Sequence, residues 1–353
     1  MQVYDVASIA NKAVSEPILT GPSSPMGHDT RIASKDATCV ALPTNQPIHP
    51  ARNQGKLMRD ANEEQPFHPL YNYALITDSR EGLILTDINT LADGNPRNNR
   101  LRRALTWNPK GILNGARHLT VGGHFVYVAA AAGLVILDLD DPLHPHVESI
   151  VPLKDVRASA LQFRYLFVTD AEGLEVLEIT DKAHPRRVNS VIPLQDAHRV
   201  YLARTYAYVA AGKQGLAIVD IEKPEQMQLH QLLHEPGSVS DVRDVVVGST
   251  NASLFAYVAD GSNGLTVVQL TSPETQPKFY GFSPEPKPQV IAHYPTSAPA
   301  LALSKGLDRD RAVDETGHQM AVFGRIGSRP FTLKESERLY LDSDGKPWFV
   351  HPQ

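Results

Sequence analysis

The chain has 353 residues, with 34 Lys and Arg against 39 Asp and Glu, for a net charge of −5. That balance argues against a general nucleic-acid binder, which shows a basic surplus. Cys39 is the single cysteine, which excludes an internal disulfide, a Cys-based metal site and a covalent haem motif; no apolar run approaches the roughly 18 residues of a helical membrane span.

From the N-terminus, no secretory signal pattern opens the chain. Residues 1–6 read as the tail of a strand, so the first structural unit is expected to be incomplete: either the chain is part of a longer, exported one, or strands from elsewhere complete its first unit. Residues 17–70 read as a long irregular insertion, punctuated by Pro17, Pro22, Pro25, Pro43, Pro47, Pro50, Pro66 and Pro69. Prolines and missing periodicity mark loops, and a loop of this length in a compact domain is functional or disordered. Within it, residues 28–32 are expected to form an opening strand.

Residues 71–107 give a full unit. It contains a turn at 93–96 and a basic cluster of Arg97, Arg100, Arg102 and Arg103, read as a solvated sheet edge. Four further units follow over 108–283. Each has an aromatic-rich strand, a short turn closed by Gly, and a second strand opening Gly-Leu. The turn glycines Gly82, Gly133, Gly173, Gly215 and Gly264 lie 51, 40, 42 and 49 residues apart. A strand-only period of roughly 40–50 residues points to propeller blades. Glycine closes the turn because a tight hairpin needs φ > 0. The second strands are nearly all apolar, as in 134–137 and 216–219, which suits burial on both faces. Residues 147–155 then match 188–196 almost position by position, supplying a third strand after a Pro turn. A fourth opens the next unit, as a four-stranded blade requires.

Beyond 282 the pattern weakens. Pro284, Pro286 and Pro288 mark a linker, 300–303 an inner strand, and 311–323 a diverged unit. Residues 332–335 (Thr-Leu-Lys-Glu) form a capping box that opens a short helix. The expected fold is all-β: a β-propeller of about seven four-stranded blades over 1–330, the first incomplete, with a helix and strand over 331–353 packed on it.

Residues 215–221 (Gly-Leu-Ala-Ile-Val-Asp-Ile), preceded by Ala-Tyr-Val-Ala-Ala, resemble the LVIVD repeat of bacterial and archaeal β-propellers. Copies at 126–139, 166–179 and 256–270 are degenerate, with Glu178 and Gln269 in place of the motif Asp. The resemblance implies a propeller in an exported or surface protein, periplasmic or extracellular, and implies no particular activity.

The candidate site lies on the inner strands. Their openings align Arg117, Arg157, His198 and Arg243 at one position per blade. Asp155, Asp196 and Asp241 stand two positions earlier, on the same side of the strand. Asp29-Thr-Arg31 is a fifth possible copy. Guanidinium groups capture carboxylate or phosphate in two-point fashion, so the ring is a candidate seat for an anion, an acidic loop or a peptide terminus. The competing reading has Asp and Arg of adjacent blades pairing to brace the ring. The histidine spacings match no metal motif, and neither a nucleophile elbow nor a phosphate loop is present. The expectation is a non-enzymatic scaffold without cofactor, binding a protein partner or another domain of its own chain, with no nucleic acid and no membrane span. The alternative is a hydrolase or oxidoreductase with a metal on the channel axis, which needs converging carboxylate, Asn or His ligands.

Overall fold

The computed structural model describes residues 30–43, 68–91, 100–250, 253–275 and 283–304, with short pieces at 1–2, 4–5, 24–25, 325–326 and 329–330. It contains five four-stranded antiparallel sheets, each joined in sequence order. Blade I comprises β1 (Ala37–Ala41), β2 (Tyr73–Asp78), β3 (Gly82–Asp87) and β4 (Arg102–Trp107). Blade II comprises β5 (His118–Gly122), β6 (Phe125–Ala130), β7 (Gly133–Asp138) and β8 (His146–Val151). Blade III comprises β9 (Ala158–Gln162), β10 (Tyr165–Thr169), β11 (Gly173–Glu178) and β12 (Arg186–Pro193). Blade IV comprises β13 (Val200–Ala203), β14 (Tyr206–Ala210), β15 (Leu216–Asp220) and β16 (Gln228–Leu233). Blade V comprises β17 (Asp244–Thr250), β18 (Ser253–Ala259), β19 (Leu265–Thr271) and β20 (Gln289–Tyr294).

The first strands of successive sheets neighbour one another, so they form the inside of the radial arrangement. Thr38 Oγ1 donates to the Ala116 carbonyl at 2.8 Å, and Thr120 Oγ1 to the Ser159 carbonyl at 2.8 Å, tying one inner strand to the next. The outermost strand pair of every blade carries a register shift. Such bulges raise the local twist, as a propeller blade requires.

Between sheets, the middle of the second strand supplies a wedge. Tyr127, Phe167 and Tyr208 occupy equivalent positions and are all but fully buried. Each joins an apolar cluster with the following blade: Tyr127 with Leu166 and Val168, Phe167 with Ala207 and Val209, Tyr208 with Val245 and Ala256. Ala207 and Ala256 leave room for the rings of Phe167 and Tyr208.

The motif Asp ends the third strand and caps the turn after it. Asp87, Asp138 and Asp220 each accept the backbone N–H two residues on, at 3.0, 2.7 and 2.9 Å. Glu178 does the same through Oε1, at 3.0 Å from Thr180 N. The degenerate copy therefore keeps the cap with a longer side chain.

One strand sits elsewhere than expected. The inner strand of blade I is Ala37–Ala41, not 28–32. Arg31 instead pairs with Gln2, and Ile32 N donates to the Met1 carbonyl at 2.8 Å. The reason is register. Asp36 N donates to Asp78 Oδ2 at 2.6 Å, and Ala37 and Cys39 face Asp78 and Thr77. Residues 17–70 are thus not wholly irregular, since they contain this inner strand. At the other end, Ala300 bridges Gly261 as Val242 bridges Gly212 in the preceding blade, which places 300–303 where a next inner strand begins. The turn at 93–96, the diverged unit at 311–323 and the helix opening at 332 lie outside the described residues.

Candidate functional site: the inner-strand ring

Strands alternate in direction within each blade. The starts of the inner strands and the turn glycines therefore share one face of the molecule, called here the ring face. All seven sequence-identified residues come together there as one continuous chain. Arg117 Nη1 contacts Asp155 Oδ1 at 2.5 Å. Arg157 donates from Nε and Nη2 to Asp155 Oδ2 at 3.0 and 2.9 Å, and from Nη1 to Asp196 Oδ1 at 3.0 Å. Its Nη1 also donates to the Ala197 carbonyl at 2.9 Å. His198 Nε2 lies 3.1 Å from Asp196 Oδ2 and 3.1 Å from Arg243 Nη1. Arg243 Nη2 closes the chain on Asp241.

Three guanidinium groups thus meet three carboxylates. The ring is interleaved in charge rather than uniformly basic. Arg117 is the outlier: its side chain is 54% exposed and it is held by a single carboxylate, while Arg157 is 21% exposed and bridges two blades.

Sequence reading missed one member. Asp36-Ala-Thr38 occupies the register of Asp155-Val-Arg157 and Asp196-Ala-His198, with Thr in place of the cation. The Asp-Ala pair shared with 196–197 was the available signal. Blade II breaks the pattern the other way, with Gly115 at the Asp position. Arg199, beside His198, was also overlooked. Its Nη1 is buried without a hydrogen-bond partner among the described residues. Its charge favours the ionised form of Asp244, whose pKa burial nevertheless raises.

Burial opposes the ionised form of Asp155, but hydrogen bonds from Arg157 and Arg117 outweigh it, and the carboxyl stays below its ordinary range. Burial also lowers the pKa of His198; Asp196 pulls it up, and Arg243 and Arg157 push it down. Neutral His198 serves one neighbour at a time through Nε2, accepting from Arg243 or donating to Asp196. Protonation leaves only the second option and sets two cations side by side.

A pH dependence follows. The unfolded chain takes up the imidazole proton more readily than the folded one, so stability is lost as pH falls below the ordinary histidine value of about 6.5. A His198→Gln variant should show a shallower fall in Tm between pH 7 and pH 5 than the parent. Equal slopes in the two Tm–pH curves would remove His198 from the account.

Comparison with known proteins adds the following. The LVIVD repeat family matches at residues 115–151, 195–231 and 241–281. No curated protein matches the sequence. Many solved structures are similar, three of them as follows. The extracellular domain of a provisionally assigned one-component system from B. thetaiotaomicron is 14% identical, covering 63% of this chain and 26% of its own, with a TM-score of 0.43. A provisionally assigned 6-phosphogluconolactonase from Bacteroides uniformis is 11% identical, covering 70% and 73%, with a TM-score of 0.50. The periplasmic gluconolactonase of Pseudomonas aeruginosa is 12% identical, covering 71% and 74%, with a TM-score of 0.48. This chain spans about a quarter of the first of these. The second likeness shows a shared propeller fold and nothing finer.

Proposed function

This chain is a β-propeller built on LVIVD repeats, and from that premise we propose that it is a non-enzymatic interaction domain. Its partner is a protein, or another domain of a longer exported chain, engaged through the ring face. The observation that carries the reading is Arg117: more than half exposed, tethered through one Nη, and so left with guanidinium donors directed at solvent. An acidic loop or a chain-terminal carboxylate is the complementary chemistry. A metal-dependent enzyme with its ion on the axis is less well supported. At the level of the ring, Asp155 and Asp196 are already bridged by guanidinium groups, and those cations repel a metal. The two lactonase likenesses are too distant in sequence to bear on activity. No helix among the described residues is long and apolar enough to cross a membrane.

The test uses Arg117→Ala and recovery of a partner from extract of the native cell. The side chain is half exposed, and an exposed ion pair is worth about 0–1 kcal/mol, so Tm should barely move. Partner recovery should fall, and recovery by the parent protein should weaken with salt, because exposed charges are screened over about 8–10 Å at physiological ionic strength. Undiminished recovery by Arg117→Ala would sink the proposal.

A further inference from the structure

We infer that the face opposite the ring carries a binding site for a divalent first-row transition-metal ion, built by Asp138, His146 and Glu148 of blade II. Asp138 ends β7, His146 opens β8 and the two are register partners. His124 stands at the β5–β6 hairpin, and the next residue, Phe125, is the partner of Asp138 on its other side. Alternating strand direction brings all of them to one end of the sheet.

His146 Nε2 lies 3.6 Å from Asp138 Oδ2 and 3.7 Å from Glu148 Oε2. The three ligand atoms fall within 4.8 Å of one another. These separations are too long for hydrogen bonds. They lie at or just above the roughly 3.3–3.6 Å between neighbouring donors on a tetrahedral ion with bonds near 2.0–2.2 Å. Asp140 N donates to Asp138 Oδ1 at 2.7 Å, which fixes the carboxylate with Oδ2 turned to His146. Such support of a ligand by a neighbouring donor is typical of metal sites. His146 and Glu148 are two positions apart, and a register shift between Val147 and Ser149 leaves Glu148 unpaired on the ladder; such a bulge re-aims a side chain, and here the Glu148 carboxylate reaches His146. His124 Nε2 stands 3.9 Å from Asp138 Oδ1 as a further nitrogen donor.

The other blades show what this position ordinarily holds. Asp87 faces Arg102 at 3.4 Å, Glu178 is paired with Arg186, and Asp220 with Gln228. Blade II replaces the cation or amide with an imidazole that can ligate, and adds a second carboxylate. A nearby trio, His68, His124 and Asp140, also converges, but it is unsuited. His68 Nδ1 accepts from Leu70 N at 3.1 Å, so its proton sits on Nε2, which donates to Asp140 Oδ1 at 3.2 Å. No lone pair of that imidazole is left for an ion. Buried His68 serves instead to stack on His124, with centroids 5.9 Å apart.

One imidazole with two carboxylates favours Zn²⁺ or its first-row neighbours over Ca²⁺, which prefers six to eight oxygens. The probe is Zn²⁺ alone, titrated calorimetrically into tag-free full-length chain. One ion should bind per chain, saturably. His146→Ala and Glu148→Gln should each weaken binding at least about tenfold, while His144→Ala, an exposed neighbour held to Asp141, should leave it unchanged. Zn²⁺ should raise the Tm of the parent but not of His146→Ala. His146 is 62% exposed, so its loss should not disturb folding, and the metal-free Tm checks this. Absence of saturable binding, or binding that survives His146→Ala, overturns the assignment.

Discussion

Gly215→Val should destabilise the fold by about 2–6 kcal/mol, and Gly173→Val by a similar amount. Two costs combine. Both glycines occupy the left-handed region, at φ +96° and +129°, where a β-branched residue is strained by about 1–3 kcal/mol. Both also lie against the backbone of the outermost strand. A Cβ on Gly173 would overlap the Ile192 carbonyl oxygen and stand 2.5 Å from Leu194 N; one on Gly215 would overlap the Leu233 carbonyl oxygen. Overpacking of this kind costs about 1–3 kcal/mol more, because the outer strand must leave its ladder to make room. Gly237 separates the two terms. It has φ +83° and nothing within 4 Å of an added Cβ, so Gly237→Val should show the conformational cost alone. Denaturant unfolding of the three variants is the measurement. If Gly215→Val costs no more than Gly237→Val, the close approach of the outer strand is wrong.

Phe167→Ala should cost about 3–5 kcal/mol, the range for truncating a buried aromatic. The ring is fully buried, in one cluster with Ala207, Val209, Ala217 and Val219 of blade IV. Its loss opens a cavity between two sheets whose backbones, held by their own ladders, collapse into it only partly. Tyr257 is the equivalent residue of blade V but is 39% exposed. Tyr257→Ala should therefore cost markedly less. Urea unfolding of both variants tests the wedge, and equal losses would refute it.

The two variants probe different levels of organisation. Gly215 and Gly173 act within a blade, where each turn lies against the backbone of its own outer strand. Phe167 acts between blades, where side-chain volume decides the fit of one sheet on the next. The ring of Arg117, Asp155, Arg157, Asp196, His198, Arg243 and Asp241 adds polar bracing at the inner ends of those same sheets. Arg157, which reaches carboxylates of two blades, belongs more to that bracing than Arg117 does.

The sequence by itself determined whatever depends on neighbours within about sixteen residues. A hairpin turn needs φ > 0, so its glycines recur; a strand buried on both faces needs an unbroken apolar run; the turn after it needs an acceptor, so Asp87, Asp138 and Asp220 recur at its end. The repeat, the four-stranded unit and the alignment of Arg117, Arg157, His198 and Arg243 were all legible for that reason. Tertiary structure alone decided the rest. The inner strand of blade I pairs with residues more than thirty positions away, and ladder hydrogen bonds at Asp36 and Ala37 settled its place over the Asp-x-Arg match at 29–31. Whether the ring is basic or interleaved depends on Arg157 reaching Asp196 across two blades, a distance set by sheet packing and not by spacing. Likewise, Asp138 joins His146 and Glu148 because strand register makes Asp138 and His146 neighbours across the turn between β7 and β8.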